Sequence, residues 1–212
     1  MIQTLPNFLP DALTRLHIAN NVSQFPRVRQ PLADLRPAAV ALIVVEYDDE
    51  CALLLTRRTS SLRAHSGQWA LPGGRMDESE TASEAALREV REEINLTLQP
   101  ESVVGTLDDY ITRSGYRITP VILWAGANTS TLEPNPDEVA SIHRISFTEL
   151  ARADAAQFEM SPDSDQEVLS MKLSVDQIYA PTAAFLYQFR EVVIKGRETR
   201  VLHYDQPRFA WR

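Results

Sequence analysis

The sequence predicts an α+β protein in which a mixed β-sheet lies between helices, an α/β/α sandwich. Segments rich in β-branched residues and segments with helical spacing follow one another without the regular alternation of a parallel β-α-β fold. The 212 residues are 44% hydrophobic and 24% charged, which is typical of a globular chain that can bury one core. We expect one globular unit, with residues 1–36 as an N-terminal helix and extended segment before a main domain of residues 37–212.

The first predicted elements are a helix and a hairpin. Pro10–Asn20 has helical spacing, with Leu13 and Leu16 on one side. Ala38–Glu46 and Ala52–Arg57 are rich in Val, Ile and Leu and flank a short polar stretch, so they predict two strands joined by a turn.

The middle of the chain predicts a loop followed by a helix. Ser66–Gly74 contains three of the seven glycines and a proline, which indicates a loop. Thr81–Ile94 has helical spacing, and Thr81 and Glu84 are three residues apart, as a capping box requires. Asn95 follows where a left-handed C-cap is wanted.

The last predicted elements are strands and one helix. Pro181–Lys195 predicts a helix, because a proline opens its first turn and Gly196 follows its end. Its apolar side either closes the core or faces a second copy, and we favour the core, so a homodimer stays open. The predicted strands are Val103–Thr106, Tyr116–Trp124, Ile142–Ser146 and Arg200–Tyr204.

Charge and composition exclude several classes of partner. The net charge of −8 argues against a nucleic-acid partner, although a bound cation would allow an acidic protein to hold a phosphate substrate. Cys51 is the single cysteine, which fits a reducing compartment. The apolar run Ala38–Val45 is too short to span a bilayer, and the first residues lack a secretory pattern. We therefore expect a cytoplasmic protein with no membrane partner.

Three carboxylates of the predicted central helix fall on one face. Glu89, Glu92 and Glu93 come together at about 100° per residue, and like charges at this spacing destabilise a helix. A divalent cation would reverse that cost, and Mg²⁺ prefers such hard oxygen ligands. The alternative is a solvated face with Arg88 paired to Glu84 and Glu92, which is the commoner origin of such a segment taken alone.

The flanking residues favour the metal site. The order is Gly74, five residues, Glu80, seven residues, Arg88-Glu89-Val90, one residue, Glu92-Glu93, one residue, and Asn95-Leu96. This spacing resembles the Nudix box, G-x5-E-x7-R-E-U-x-E-E-x-G-U, where U is a bulky aliphatic residue. Asn95 stands at the family's second glycine and tolerates the same backbone conformation, so we assign it a structural role. The resemblance implies a Nudix hydrolase domain with the box as a loop–helix–loop.

The resemblance also implies a role for each charged residue of the box. Glu89 and Glu93 would be the main ligands of Mg²⁺ or Mn²⁺, and Glu92 a third ligand or the group that activates water. Arg88 would complete the catalytic set, and with Glu80, a structural residue, it would hold the loop against the helix. Glu92 and the later acid Glu138 remain alternatives for the general base.

A second resemblance covers Leu54–Gly74, LLTRRTSSLRAHSGQWALPGG. It is similar to the signature of the coenzyme A pyrophosphatase branch, L-L-T-x-R-[SA]-x3-R-x3-G-x3-F-P-G-G, from which it departs at Thr59 and Leu71. The matching residues are Leu54, Leu55, Thr56, Arg58, Arg63, Gly67, Pro72, Gly73 and Gly74. The branch implies cleavage of coenzyme A or its derivatives to 3′,5′-ADP and (acyl-)4′-phosphopantetheine.

Candidate substrate-binding residues lie in this segment. Arginine suits phosphate oxygens, but Arg57 and Arg58 point to opposite faces of a strand, so at most one reaches a given site. We favour Arg58 and Arg63 over Arg57, because these two match the signature. Trp69 could stack on adenine, although packing on the sheet is the commoner role of such a residue. The signature glycines that complete the substrate-binding set are Gly67, Gly73 and Gly74.

Three alternatives to a coenzyme A diphosphatase remain. One is a Nudix hydrolase that acts on another small-molecule diphosphate, such as ADP-ribose, NADH or a dinucleoside polyphosphate. The second is a non-catalytic Nudix-fold ligand sensor, which would be expected to lose the box carboxylates that this sequence keeps. The third is an acidic helical face on an unrelated domain, which the spacing of two adjacent signatures argues against.

Overall fold

The fold is built around a mixed eight-stranded sheet in the computed structural model, which describes residues 8–60, 67–129 and 131–207. The strands of this sheet are β1 (Arg36–Tyr47), β2 (Glu50–Arg58), β3 (Trp69–Ala70), β4 (Gly73–Arg75), β5 (Val103–Thr106), β6 (Tyr110–Ile111), β7 (Tyr116–Gly126) and β8 (Val139–Ser146). A second, three-stranded sheet contains β9 (Ala156–Met160), β10 (Glu167–Lys172) and β11 (Gln177–Tyr179). The helices are α1 (Ala12–Gln24), α2 (Ala82–Ile94), α3 (Phe147–Ala151) and α4 (Thr182–Phe189), with a 3₁₀ turn at Pro100–Ser102 and a π-helical turn at Arg190–Ile194.

The large sheet has the strand order β3-β2-β1-β7-β5, with β4 on β1, β6 on β7 and β8 on β2. The β1–β7 pair is parallel, and the other pairs described in this sheet are antiparallel. The predicted hairpin is confirmed as β1–β2. Asp48 and Asp49, which connect its strands, have φ of 49° and 61°, as a turn with two left-handed central residues requires.

Strand β1 is buried on both faces. Leu42 and Val44 belong to a core shared with α1 and α4, whereas Ala41 and Ile43 belong to a second core shared with α2. Helices therefore cover both sides of the sheet, and the predicted α+β sandwich is confirmed. This double burial explains why the strand reads as a continuous apolar run rather than as an alternation.

Strands β1 and β2 separate towards one end, and this separation positions the site. They pair only between Val44–Tyr47 and Glu50–Leu53. Beyond that, β4 pairs with Ala38–Val40 of β1, and β3 pairs with Thr56–Arg57 of β2. The predicted loop Ser66–Gly74 therefore includes β3 and the start of β4, which fill the opening between the two long strands.

The helix predictions are confirmed in outline, and α1 extends four residues further than predicted. The predicted central helix is α2, and the predicted helix at Pro181–Lys195 is α4 with the π-helical turn. Leu13 and Leu16, which share one side of α1, are 76% and 57% exposed. Ile18 and Val22 contact the core instead, because the helix runs on to Gln24 and presents a different side to the sheet.

The strand predictions held in the centre of the chain and failed near its end. The predicted strands at 103–106, 116–124 and 142–146 correspond to β5, β7 and β8, with the last two longer than predicted. The predicted strand Arg200–Tyr204 was wrong: turns occupy this segment, because the side chain of Arg200 binds Asp108 and Glu198 and no strand pairs beside it among the described residues. The division of the chain at residue 36 remains a prediction. Within the described ranges, no helix combines the length and the hydropathy that crossing a bilayer requires.

Candidate active site

Helix α2 carries the acidic residues and is fixed at both ends. The Thr81 hydroxyl accepts from the Glu84 N–H at 3.3 Å, and the Glu84 carboxylate accepts from the Thr81 N–H at 2.8 Å. This is the predicted capping box. At the other end Asn95 has φ 54° and ψ 29°, the predicted left-handed cap. Its side chain donates to the Thr131 carbonyl at 3.3 Å. These caps set where the helix begins and ends, and therefore where its carboxylates lie.

Arg88 ties the preceding loop to the helix. Its Nε and Nη2 donate to the two carboxylate oxygens of Glu80 at 2.9 and 3.0 Å, and Nη2 also donates to the Arg75 carbonyl at 2.9 Å. This bidentate pair lowers the pKa of Glu80 and raises that of Arg88. Arg88 therefore joins the loop at Arg75 and Glu80 to α2. The predicted Glu84–Arg88 pair is not formed, since Glu84 caps the helix instead.

The remaining amino group of Arg88 lies between two further carboxylates. Its Nη1 donates to Glu89 at 2.8 Å and to Glu92 at 3.2 Å. The Glu89 side chain is 13% exposed and the Glu92 side chain 49%. Glu89 therefore points inward, and Glu92 lies at the solvent edge of the same helix face.

Glu93 is the most buried carboxylate of the box, with 3% of its surface exposed. Burial is the main reason that its pKa is raised to about 8, and the nearby charges of Glu89 and Glu138 raise it further. Arg58 and the Gly73 N–H act in the opposite direction. Burial also raises the pKa of Glu89, against the hydrogen bond from Arg88. Two desolvated carboxylates therefore lie close to each other and to a third acid from another loop.

Gly73 and Gly74 allow two close approaches beside these carboxylates. A Cβ at Gly73 would lie 2.3 Å from the carbonyl oxygen of Ala39, so strand β1 requires glycine there. A Cβ at Gly74 would lie 2.2 Å from an oxygen of Glu89. Real Cβ atoms do not approach other atoms so closely, so the second glycine keeps the place of the Glu89 carboxylate free.

The donor atoms suit a hard divalent cation, but they do not yet form a complete ligand set. Buried, mutually repelling carboxylate oxygens are the ligands that Mg²⁺ and Mn²⁺ prefer. Across the described parts of the chain, however, no three His, Cys, Asp or Glu side chains are already arranged as a metal site. Glu89 and Glu93 lie near each other, whereas Glu92 is turned towards solvent and Arg88.

A cavity of about 360 Å³ lies beside β4, on the side of the sheet that faces α4. Its lining is largely apolar and aromatic, with uncharged hydrogen-bonding groups and two arginines near the glycines. The residues that form it include Val40, Arg58, Trp69, Gly73, Gly74, Arg75, Thr112, Ser114, Tyr116, Thr182, Phe185 and Gln206. An uncharged ring or chain with hydrogen-bonding groups matches this lining.

The predicted arginines occupy different environments. Arg58 lines the cavity and is near enough to Glu93 to lower its pKa. Its buried Nε has no hydrogen-bond partner among the described residues. Arg57 instead donates to the Gly67 carbonyl at 3.4 Å, and its Cζ lies 5.7 Å from the centroid of the Trp69 ring, which also lines the cavity. Gly67 therefore contacts Arg57 rather than the carboxylates. The third predicted arginine, Arg63, lies outside the described residues.

Part of the cavity wall was not predicted from the sequence. Tyr116, the first residue of β7, and Phe185 of α4 belong to segments that were identified only as a strand and a helix. Gln206 comes from the region that was assigned no role. None of these residues belongs to a motif, and no spacing along the chain links them. Trp69 contributes its ring to the cavity and donates from Nε1 to Asp176 at 3.0 Å.

Comparison with known proteins places this geometry in a family. The model of the NUDIX domain matches residues 35–189. The uncharacterized Nudix hydrolase NudL of Pectobacterium atrosepticum is 33% identical over 184 residues, which cover 85% of this chain and 92% of that protein. Nudix hydrolase 3 of Caenorhabditis elegans is 34% identical over 62% of this chain and 58% of its own length.

Solved structures also resemble the fold. A MutT/nudix family protein from Enterococcus faecalis covers 88% of this chain and 68% of its own, with 19% identity and a TM-score of 0.49. The family model spans the central sheet, the box and α4, and the NudL relative extends the match over most of both chains. The chain therefore belongs to the Nudix hydrolase family.

Proposed function

We propose that this Nudix hydrolase is a metal-dependent diphosphatase whose substrate is coenzyme A or an acyl derivative, cleaved to 3′,5′-ADP and (acyl-)4′-phosphopantetheine. One observation carries the proposal. The buried pair Glu89–Glu93 adjoins Gly73–Gly74 at the edge of a cavity, and Arg58 lies between the pair and that cavity. Carboxylates for a cation and an arginine for phosphate thus meet at one place. The upstream signature supports coenzyme A over other diphosphates.

Mg²⁺ or Mn²⁺ would be held by Glu89 and Glu93, with Glu92 either a third ligand or the group that activates water. When bound, the cation supplies Lewis-acid activation of water and neutralises charge on the diphosphate. Arg58 binds a phosphate oxygen through its unpartnered Nε, and the glycine backbone lets the diphosphate approach the carboxylates.

The bond change is a substitution at phosphorus. Water forms a new P–O bond, the bridging P–O bond breaks, and the leaving phosphate departs with the electron pair of that bond. Glu92 and Glu138 are both exposed and next to the buried pair, so either could accept the proton of the attacking water. Arg88 positions Glu89 and Glu92 through its Nη1, which makes it a positioning residue in this scheme.

The decisive experiment measures phosphate-linked turnover of coenzyme A, ADP-ribose and NADH, with and without Mg²⁺ or Mn²⁺. We expect metal-dependent release of 3′,5′-ADP from coenzyme A. Glu89→Gln should lower kcat about 10²- to 10³-fold, because it removes a charge from the reacting centre without changing its size. Glu46→Gln, at an exposed position of β1, is the matched control and should leave kcat unchanged.

Each other outcome has a defined meaning. Cleavage of ADP-ribose or NADH alone would keep the diphosphatase and discard coenzyme A as its substrate. Near wild-type turnover by Glu89→Gln would contradict the assigned role of that residue. No turnover of any substrate by folded protein would favour a ligand sensor, despite the retained carboxylates.

A further inference from the structure

Two arginines without a carboxylate partner lie on the ring of Tyr116, which lines the cavity beside β4. Within the parts of the chain that the structure describes, Arg36 and Arg75 form no ion pair, whereas Arg113 and Arg117 close by are paired with acids. The chain has 29 acidic and 21 basic residues, so carboxylates are abundant. A group of unneutralised guanidinium groups on such a protein indicates an anion that comes from outside the chain.

Both arginines are held on one tyrosine. The Arg36 Cζ lies 4.0 Å from the centroid of the Tyr116 ring, and the Arg75 Cζ lies 5.5 Å from it. Arg75 Nε donates to the Tyr116 hydroxyl at 3.0 Å, and Arg36 Nη2 donates to the Ser114 carbonyl at 2.6 Å. Each guanidinium carries five N–H donors, so most of them remain available to a ligand at the cavity mouth.

The register of the sheet brings the side chains of Arg36, Tyr116 and Arg75 together. Arg36 pairs with Tyr116 in the parallel β1–β7 ladder, and Ala38, two residues further along β1, pairs with Arg75 of β4. Residues two apart on a strand share a face, and so do residues directly opposite each other on neighbouring strands. Arg36, Tyr116 and Arg75 therefore lie on one face, which is the face that contains the cavity.

The arginine subsite adjoins the carboxylate pair along β4. Gly74 abuts Glu89, and Arg75 follows it, about 3.8 Å further on between Cα atoms. Consecutive strand residues point to opposite faces, so a ligand that crosses the edge of β4 meets the carboxylates on one side and Arg75 on the other. A ribose at the cavity mouth that carries one phosphate at its 5′ position and another at its 3′ position has the connectivity for this arrangement.

We propose that Arg36 and Arg75, held on the Tyr116 ring, form a subsite for a phosphate monoester on the ribose of the substrate. The inference rests on the proposed function, because it names the part of coenzyme A, its 3′-phosphate, that this subsite recognises. It makes Arg36 and Arg75 specificity-determining residues that distinguish substrates with this phosphate from those that lack it.

The test compares binding of adenosine 3′,5′-bisphosphate and adenosine 5′-monophosphate to the full chain by calorimetry. We expect wild type to bind the bisphosphate about tenfold or more tightly, since one hydrogen bond to a charged group contributes about that factor. The double variant Arg36→Gln/Arg75→Gln should reduce the ratio to near one while leaving the affinity for the monophosphate unchanged. Arg36→Lys/Arg75→Lys, which keeps the charge, should retain part of the preference.

Arg144→Gln is the matched control. The Arg144 Cζ lies 5.8 Å from the Tyr47 ring centroid, and this residue also has no carboxylate partner among the described residues, but it is remote from the cavity. It should keep the wild-type ratio. If Arg36 and Arg75 only braced the Tyr116 ring, the double variant would lower the unfolding temperature and leave the ratio intact, which would overturn the subsite.

A kinetic measurement separates this inference from the proposed function. Wild type should show a kcat/KM at least tenfold higher for coenzyme A than for 3′-dephospho-coenzyme A. Equal values, or equal binding of the two nucleotides, would overturn the subsite and leave the diphosphatase standing. A preference for the bisphosphate without any turnover of coenzyme A would support the subsite and overturn the proposed substrate.

Discussion

The two faces of the large sheet differ in how their charged groups are assembled. On the face covered by α2, Glu89, Glu92 and Glu93 come from one helix, and that helix is defined by its own caps. On the face towards α4, Arg36, Arg75 and Tyr116 come from three strands and meet only through the sheet register. The acidic site is thus a local product of the sequence, whereas the basic site exists only in the folded chain.

The largest effect is expected from Glu93→Gln on the acidic face. We expect turnover to fall about 10²- to 10³-fold, because the buried carboxylate is a proposed ligand. Above pH 8, where Glu93 is ionised, the unfolding temperature without metal should stay the same or rise, because an amide of the same shape removes a desolvated charge that repels Glu89. Parallel activity assays and thermal melts check both. A large loss of stability together with activity would show that Glu93 is a structural residue.

Two glycine substitutions in β4 distinguish an effect on stability from an effect on activity. Gly73→Ala would place a methyl group against the backbone of β1, so we expect about 1–3 kcal/mol of lost stability. Gly74→Ala would instead push on the Glu89 side chain, which can move, so activity should fall more than stability. Denaturant titrations and steady-state kinetics of both variants test this. Equal losses of stability in the two variants would contradict the assignment.

Metal binding at the carboxylates of α2 should stabilise the folded chain. A cation that binds only the folded chain adds about 2.7 kcal/mol to the free energy of unfolding at a concentration one hundred times its Kd. We therefore expect Mg²⁺ or Mn²⁺ to raise the melting temperature of wild type. Glu93→Gln should remove the rise, whereas Arg36→Gln on the opposite face should keep it. An equal rise in Glu93→Gln would place the cation elsewhere.

The smallest effect is expected at the end of α2. Asn95→Ala should cost about 1 kcal/mol of stability, because alanine is poorer in the left-handed conformation and lacks the hydrogen bond to Thr131. Asn95→Gly, which restores the residue of the family pattern, should stay within about 1 kcal/mol of wild type. Chemical denaturation measures both. Loss of activity without loss of stability in Asn95→Ala would give the residue a role beyond the cap.

Predictions from the sequence were most accurate where neighbours along the chain determine the conformation. The capping box of Thr81 and Glu84 and the left-handed Asn95 follow from local hydrogen bonds and backbone sterics, and both were predicted. The buried side of α1 was not, because it depends on which part of the sheet the helix meets. Strands β9 to β11 were also missed, since their pairing joins segments without a local signal.

The sequence by itself determined the fold class, the hairpin, helix α2 and the residues whose carboxylates lie along it, because these follow from hydrophobic patterning, capping and a motif of fixed spacing. Tertiary structure alone decided that Glu93 is buried and that Glu138 lies near it. It also decided the cavity, whose wall draws on strands and on α4. Burial, electrostatic coupling and cavity shape depend on contacts between distant segments, and those contacts form only when the chain folds.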